Sequence, residues 1–234
     1  MMINPYIPKT PVYTKKRIGV FGGAFNPIHY GHISLAKEVK KYVEYDTFMF
    51  VPTFQAAHKD IECDFDHRCK MVSLCIDSYS GNVMSPLEKF LGKPTITINL
   101  IMAIVLSQTE SVNIDLIIGF DQFEDFKLWD EWEVILNHCR LVVVNRGESG
   151  IYQRVEVEKI CNSLYPLNFK EFIVEKDGNW IYGEEKVLIL NNPDIDIPEM
   201  SSTQVRAMIK NEKPLSQFVI PQVRDYIETN KLYR

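Results

Sequence analysis

An α/β fold, with a parallel sheet and helices crossing over its faces, follows from three observations on the sequence. Residues 17–21, 47–52, 115–119 and 141–145 are apolar over most of their length, as strands covered on both faces are. Between them, residues 32–42, 65–79 and 95–108 carry apolar side chains at three-and-four spacing, the period of an amphipathic helix. The first strand runs into a glycine-rich turn, Gly22-Gly23-Ala24-Phe25-Asn26-Pro27-Ile28-His29-Tyr30-Gly31-His32, and the first helix starts at its end. In such sheets ligands gather outside the carboxyl ends of the strands.

In chain order, residues 1–16 read as an extension: Pro5, Pro8 and Pro11 interrupt regular structure, and the stretch lacks the apolar centre of a signal peptide. The first strand then ends where two glycines allow a sharp turn and a close approach of ligand to backbone. Amides at a helix N-terminus attract anions, so this turn reads as a phosphate site and hence a nucleotide site of some kind. His29 and His32, three residues apart across the helix start, can turn both imidazoles toward one ligand. Imidazole donates a hydrogen bond in either tautomer and can steady charge that builds on a phosphate oxygen. A turn with one capping histidine is the plainer reading. A metal pair is a third, but Cys63 and Cys69 stand at no recognised spacing to complete it. The Gly-Gly-x-Phe-x-Pro prefix favours phosphate.

After the second strand, Ala56-Ala57-His58-Lys59 falls in a loop, where a lysine is more often solvated than catalytic. The strand at 115–119 leads into Gly119-Phe120-Asp121, with Trp129 eight residues beyond Asp121. Trp129 reads as core beside Phe126 and Trp132 unless it lies close to the phosphate loop. The span 147–196 is long; 154–164 suits a helix, and 172–175 and 187–190 suit strands, so an inserted hairpin at an oligomer interface or over the ligand site is one reading. A turn-rich connector at 191–198 precedes helices at 203–210 and 222–230, separated by Pro214 and Pro221. Ser201 and Gln204 fit a capping box at the first of these helices. The same geometry presents hydroxyls and amides, with Arg206 one turn along from Ser202 and Thr203, where a guanidinium can grip phosphate oxygens bidentately. The expected organisation is therefore an extension at 1–16, a nucleotide-binding α/β domain at 17–196 with 147–196 as an insertion, and a small helical part at 197–234.

Composition narrows the function classes. The 234 residues are 46% hydrophobic and 24% charged, ordinary for a globular protein. A net charge of -5 and a pI near 5.6 argue against a surface built to coat nucleic acid. Five cysteines with no Cys-x-x-Cys pair suggest neither a disulfide framework nor a zinc ribbon, so a reducing cytoplasm is the expectation. The longest apolar run, residues 100–106, is far shorter than a membrane span.

Taken in order, the 22–32 motif Gly-Gly-x-Phe-x-Pro-x-His-x-Gly-His, His58-Lys59, Gly119-x-Asp121 with Trp129, and Ser201-Ser202-Thr203-x-x-Arg206 resemble the bacterial nicotinate-nucleotide adenylyltransferases. Residues 219–227 and Leu232-Tyr233 resemble that family's closing helix, and the likeness spans residues 17–146 and 197–233. It implies a Rossmann-like, doubly wound fold and transfer of AMP from ATP to the 5′-phosphate of nicotinate mononucleotide, releasing pyrophosphate with Mg²⁺ assistance. By position, it implies that His29 and His32 hold the ATP phosphates, and that Lys59, Ser201, Ser202, Thr203 and Arg206 complete the grip, Lys59 and Arg206 sharing the catalytic role of the histidines. Gly22, Gly23 and Phe25 would line the nucleotides through their backbone. Asp121 would sit among ribose and phosphate contacts, Trp129 would stack on the pyridine ring, and Thr97 would lie near the pyridine end. The implied partners are ATP and a pyridine mononucleotide, with no nucleic acid and no membrane; a homo-oligomer is compatible with the chain.

The sequence departs from that pattern in two places. Ala57 stands where a proline usually precedes the His-Lys pair, and in the family's Thr-x-Asp-Thr run only Thr97 is kept, with Asn99 and Leu100 in place of the acid and the second threonine. The same chemistry on nicotinamide mononucleotide or a phosphopantetheine-type acceptor, and a nucleotide sensor without turnover, are the competing readings. A phosphopantetheine enzyme would be shorter and have no need of Trp129, and a sensor would have no need of the full cationic set His29, His32, Lys59 and Arg206. A tRNA synthetase fragment would share the His-x-Gly-His end but needs a basic face that this chain lacks.

Overall fold

Among the described residues eight strands form one sheet: β1 (Arg17–Gly23), β2 (Thr47–Pro52), β3 (Asn82–Met84), β4 (Asn113–Gly119), β5 (Arg140–Val144), β6 (Val174–Lys176), β7 (Asn179–Tyr182) and β8 (Val187–Leu190). The computed structural model describes residues 15–55, 60–77, 81–93, 95–144, 154–164, 174–176, 179–182, 186–190 and 200–234. Across the sheet the order is β3-β2-β1-β4-β5-β8-β7-β6. The pairs from β3 to β8 are all parallel, while β7 runs antiparallel to both β8 and β6. This is the α/β, Rossmann-like parallel sheet expected, closed at one edge by a hairpin. Of the strands expected within 147–196, that at 187–190 is β8, a member of the parallel sheet beside β5, and that at 172–175 overlaps β6, which pairs with an unexpected β7 as an antiparallel hairpin beyond β8.

The helices are α1 (Tyr30–Tyr42), α2 (Phe65–Ile76), α3 (Thr97–Ser107), α4 (Phe120–Glu124), α5 (Trp132–His138), α6 (Arg154–Leu164), α7 (Ser202–Lys210) and α8 (Pro221–Thr229). The long ones lie within a few residues of their expected bounds. Strands β3 and β7 and helices α4 and α5 are too short to show a hydrophobic period, which needs two turns or several alternations to register. Trp129 follows a single 3₁₀ turn at Phe126–Leu128 and does not lie within a helix.

Strand alternation divides the interior into two cores, one on each face. Ile18, Val20, Leu116, Ile118, Leu141, Val143, Val187 and Ile189 face α3, α5 and α6. Phe21, Ile117, Val142, Val144, Leu188 and Leu190 face the other way, toward α1 and α2. Val205 of α7 and Val223 and Ile227 of α8 pack into that second core, so the C-terminal helices rest directly on the sheet. All five cysteines are buried and unpaired. Burial pushes the thiols of Cys75, Cys139 and Cys161 up to about 12, which keeps them protonated and inert at neutral pH.

One end of the sheet is tied by charge. Asp115, fully buried in β4, accepts from Arg140 Nε at 3.0 Å and Nη2 at 2.5 Å, from Arg17 Nη1 at 3.1 Å, and from the Tyr45 hydroxyl at 3.0 Å. Burial, then the nearby carboxylate, raise the Tyr45 phenol above its ordinary value. Arg17 and Arg140 open β1 and β5, so this cluster sits at the amino end of the strands. The carboxyl end is left for ligands. Strand order reverses direction between β1 and β4, and at such a switch point the loops after the two strands part and leave a crevice.

Candidate active site

The loop after β1 opens the crevice. Gly22 and Gly23 close the strand, and a Cβ built on Gly22 would meet no atom within 4 Å, so the space above it is open. Phe25 has φ of 44°, a left-handed conformation that a non-glycine residue adopts only when its surroundings hold it. Its ring supplies that hold: it is buried, edge-on to Phe21 at 5.5 Å and to His32 at 5.0 Å.

His29 is the N-cap of α1 and is buried, while His32 is half-buried one turn on. The rings lie 3.7 Å apart at 32°, and the His29 backbone N–H donates to His32 Nδ1 at 3.2 Å. With Nδ1 accepting, the neutral imidazole of His32 carries its proton on Nε2, which makes it a donor for a phosphate oxygen. Gly31 lets the turn close this tightly. An added Cβ would stand 2.9 Å from Met200 Cγ and 3.0 Å from His29 Nδ1. Gly31→Ala is therefore expected to push the His29 ring aside, lowering stability by about 1–3 kcal/mol through overpacking and reducing turnover, as thermal unfolding and steady-state assay will show.

The N-terminus of α7 docks on the same loop from the far end of the chain. The Ser202 hydroxyl donates to Pro27 O at 2.9 Å, Arg206 Nη1 donates to Asn26 O at 2.8 Å, and the Gly31 N–H meets Met200 Sδ at 3.1 Å. The Tyr30 N–H donates to Phe218 O at 2.8 Å. Ser201 caps α7, accepting from the Gln204 N–H at 3.2 Å while Gln204 Oε1 accepts from the Ser201 N–H at 2.7 Å, so the capping box is real. Thr203 Oγ1 accepts from Arg206 Nη2 at 3.2 Å, and Glu62 pairs with Arg206 at 3.5 Å and with Lys210 at 3.1 Å. The three hydroxyls thus orient the helix and its arginine on the loop. Helices α1 and α7 present two N-termini to one region, a strongly anion-attracting arrangement.

The remaining expected residues fall elsewhere. Asp121 is exposed in the first turn of α4, directly after β4, on the other side of the switch point. Trp129 is half-buried with its ring 5.3 Å from Phe126, so it belongs partly to the core and partly to the surface. Thr97 opens α3 and is half-buried; Asn99 is exposed and Leu100 is buried in the core, where it offers no polar group to a ligand. His58 and Lys59 lie outside the described residues. Among the described residues no group of three His, Cys, Asp or Glu could hold a metal ion. Sequence reasoning missed Asn26, Met200 and Arg68, whose parts in the site run through backbone carbonyls or a sulfur; only its place inside the 22–32 motif could have flagged Asn26.

The sequence matches the cytidylyltransferase-like family over residues 20–208, most of the chain. The chain belongs to that family. Within it, a probable nicotinate-nucleotide adenylyltransferase of Hydrogenovibrio crunogenus is 28% identical over 222 residues, covering 94% of this chain and 99% of that protein. A probable nicotinate-nucleotide adenylyltransferase of Clostridium botulinum is 28% identical over 221 residues, covering 94% and 98%. Among solved structures, the nicotinic acid mononucleotide adenylyltransferase of Plasmodium falciparum complexed with NaAD superposes with a TM-score of 0.70 at 21% identity, over 93% of this chain and 97% of that one. At that identity the superposition speaks for the fold. The loop, the two helix N-termini and the switch point are thus the candidate site of this cytidylyltransferase-like chain.

Proposed function

We propose that this chain transfers AMP from ATP to the 5′-phosphate of nicotinate mononucleotide, giving nicotinate adenine dinucleotide and pyrophosphate, a step in NAD biosynthesis. The observation that carries it is the docking of α7 on the phosphate loop, Arg206 to Asn26 O at 2.8 Å, which joins the helix bearing the guanidinium to the loop bearing the two stacked imidazoles. Relatives bearing that name align over nearly the whole chain.

The substrate phosphate is already a nucleophile. Transfer therefore needs alignment and charge neutralisation more than proton abstraction. An oxygen of the mononucleotide phosphate attacks the α-phosphorus in line, the new P–O bond forms, and the bond to the bridging oxygen breaks with its electron pair leaving on pyrophosphate. His32 and His29 steady the oxygens of the triphosphate as charge shifts toward the leaving group, and Arg206 and Lys59 neutralise it. Amides at the starts of α1 and α7 add fixed positive ends. Mg²⁺ would come with ATP on its phosphate oxygens and supply charge neutralisation there; the protein groups gathered here, amides, imidazoles and a guanidinium, suit the phosphates rather than the ion. No helix among the described residues is long and apolar enough to cross a membrane, and the buried thiols suit the reducing cytoplasm.

Pyrophosphate release with ATP and each acceptor in turn tests the reading. Nicotinate mononucleotide should support the fastest release. Equal or faster release with nicotinamide mononucleotide would reassign the acceptor, and none with either would leave a nucleotide sensor. Trp129→Ala should raise KM for the pyridine nucleotide and leave KM for ATP nearly unchanged. An equal rise in both would make Trp129 a packing residue only.

A further inference from the structure

We propose that Arg68 is a positioning residue for catalysis, holding the phosphate loop against the loop that leaves β2 through their backbone carbonyls. This rests on the nucleotidyl-transfer reading above. Arg68 stands in the first turn of α2, and at 1% exposure it is among the largest fully buried side chains. Its guanidinium donates from Nε to Cys63 O at 2.9 Å and from Nη1 to both Ala24 O at 2.8 Å and Thr53 O at 2.7 Å, with Phe54 O 3.4 Å from Nη2. No ion pair joins it among the described residues, so its charge is met by carbonyl dipoles.

The place of these bonds gives them their meaning. The β1–β2 ladder ends at the pair Gly23 and Pro52, and its last backbone bond runs from the Thr53 N–H to Gly23 O at 2.8 Å. Beyond that the strands part, β1 into the phosphate loop and β2 into Thr53 and Phe54. Carbonyls past the end of a parallel ladder have no amide opposite them. Arg68 Nη1 takes one from each strand and adds a further rung.

The rung also bears on Phe25, whose φ is 44°. Arg68 holds the carbonyl just before it, on Ala24, and Arg206 holds the one just after it, on Asn26. Two arginines thus bracket the left-handed residue that turns the chain toward His29 and His32. A lysine at 68 would keep the charge, but its three donors radiate from one atom and cannot span carbonyls of three segments as a planar fork does.

The test uses the full chain with Arg68→Lys and Arg68→Ala, read by pyrophosphate release, by thermal unfolding and by calorimetric ATP binding without acceptor. Arg68→Lys is expected to stay folded while kcat falls about 10- to 100-fold, the effect of a misplacement of about 1 Å, with little change in KM for the pyridine nucleotide. In Arg68→Ala, millimolar guanidinium chloride should restore kcat, and potassium chloride should not. Parental kcat and ATP affinity in Arg68→Lys would overturn the proposal, as would activity lost only in proportion to unfolded protein with no rescue by guanidinium. If Arg68→Ala does not fold, kcat of Arg68→Lys decides alone. A parent chain that binds ATP yet releases no pyrophosphate would sink the reading of function instead. Arg68 would then be judged on ATP affinity, where about tenfold weakening in Arg68→Lys supports it and none overturns it.

Discussion

His32→Ala is expected to lower kcat by about 100-fold or more, corresponding to about 3 kcal/mol of lost transition-state stabilisation. The size follows from how firmly the ring is held before any substrate arrives. Its Nδ1 accepts from the His29 N–H, its face lies 3.7 Å from the His29 ring, and the edge contact with Phe25 fixes its tilt. A donor so fixed needs no reorganisation as charge builds on the leaving pyrophosphate, and that is where a preorganised group exceeds water. Because the ring is half-exposed, its removal should disturb folding far less than catalysis. Initial-rate measurement of pyrophosphate release beside a thermal unfolding curve separates the two. Near-parental turnover in a folded variant would remove His32 from the chemistry.

Asp115→Asn acts at the other end of the sheet and should do the converse. The carboxylate is fully buried between two arginines and a tyrosine, and its neutralisation leaves Arg17 and Arg140 facing each other across β4 with no anion between them. Removing one partner of a buried ionic cluster costs about 3–5 kcal/mol, a large share of the 5–15 kcal/mol that is typical of a whole domain. For a chain of this size that lowers Tm by roughly 10 °C. Turnover per folded molecule should stay near parental, since the cluster lies at the amino ends of the strands. A Tm unchanged by the substitution would show that the arginines find solvent or another partner.

These two effects mark what the sequence makes legible. The crevice end was readable because its chemistry is local: glycines, histidines and a helix start lie within eleven consecutive residues, and the structure places Gly22, Gly23, Phe25, His29 and His32 together as that spacing suggests. Ser201 through Arg206 was readable as a capped helix with a cation one turn in, and it proved to be both capped and docked. The strands that align with β1, β2, β4 and β5 were legible because both of their faces are covered. Asp115 was not legible, because its partners Arg17, Tyr45 and Arg140 are scattered along the chain and no local period ties them. Arg68 was hidden for a related reason: a guanidinium that bonds backbone carbonyls leaves no complementary side chain to notice. Leu100 shows the reverse, a position singled out for a missing hydroxyl that the fold turns into the core.

A crystal structure of the chain with a non-hydrolysable ATP analogue is the most direct measurement. The triphosphate should lie over Gly22, between the N-terminus of α1 and that of α7, with His32 and Arg206 both within hydrogen-bond reach of its oxygens. A triphosphate seated away from α7, or touching only one of these two side chains, would contradict the account.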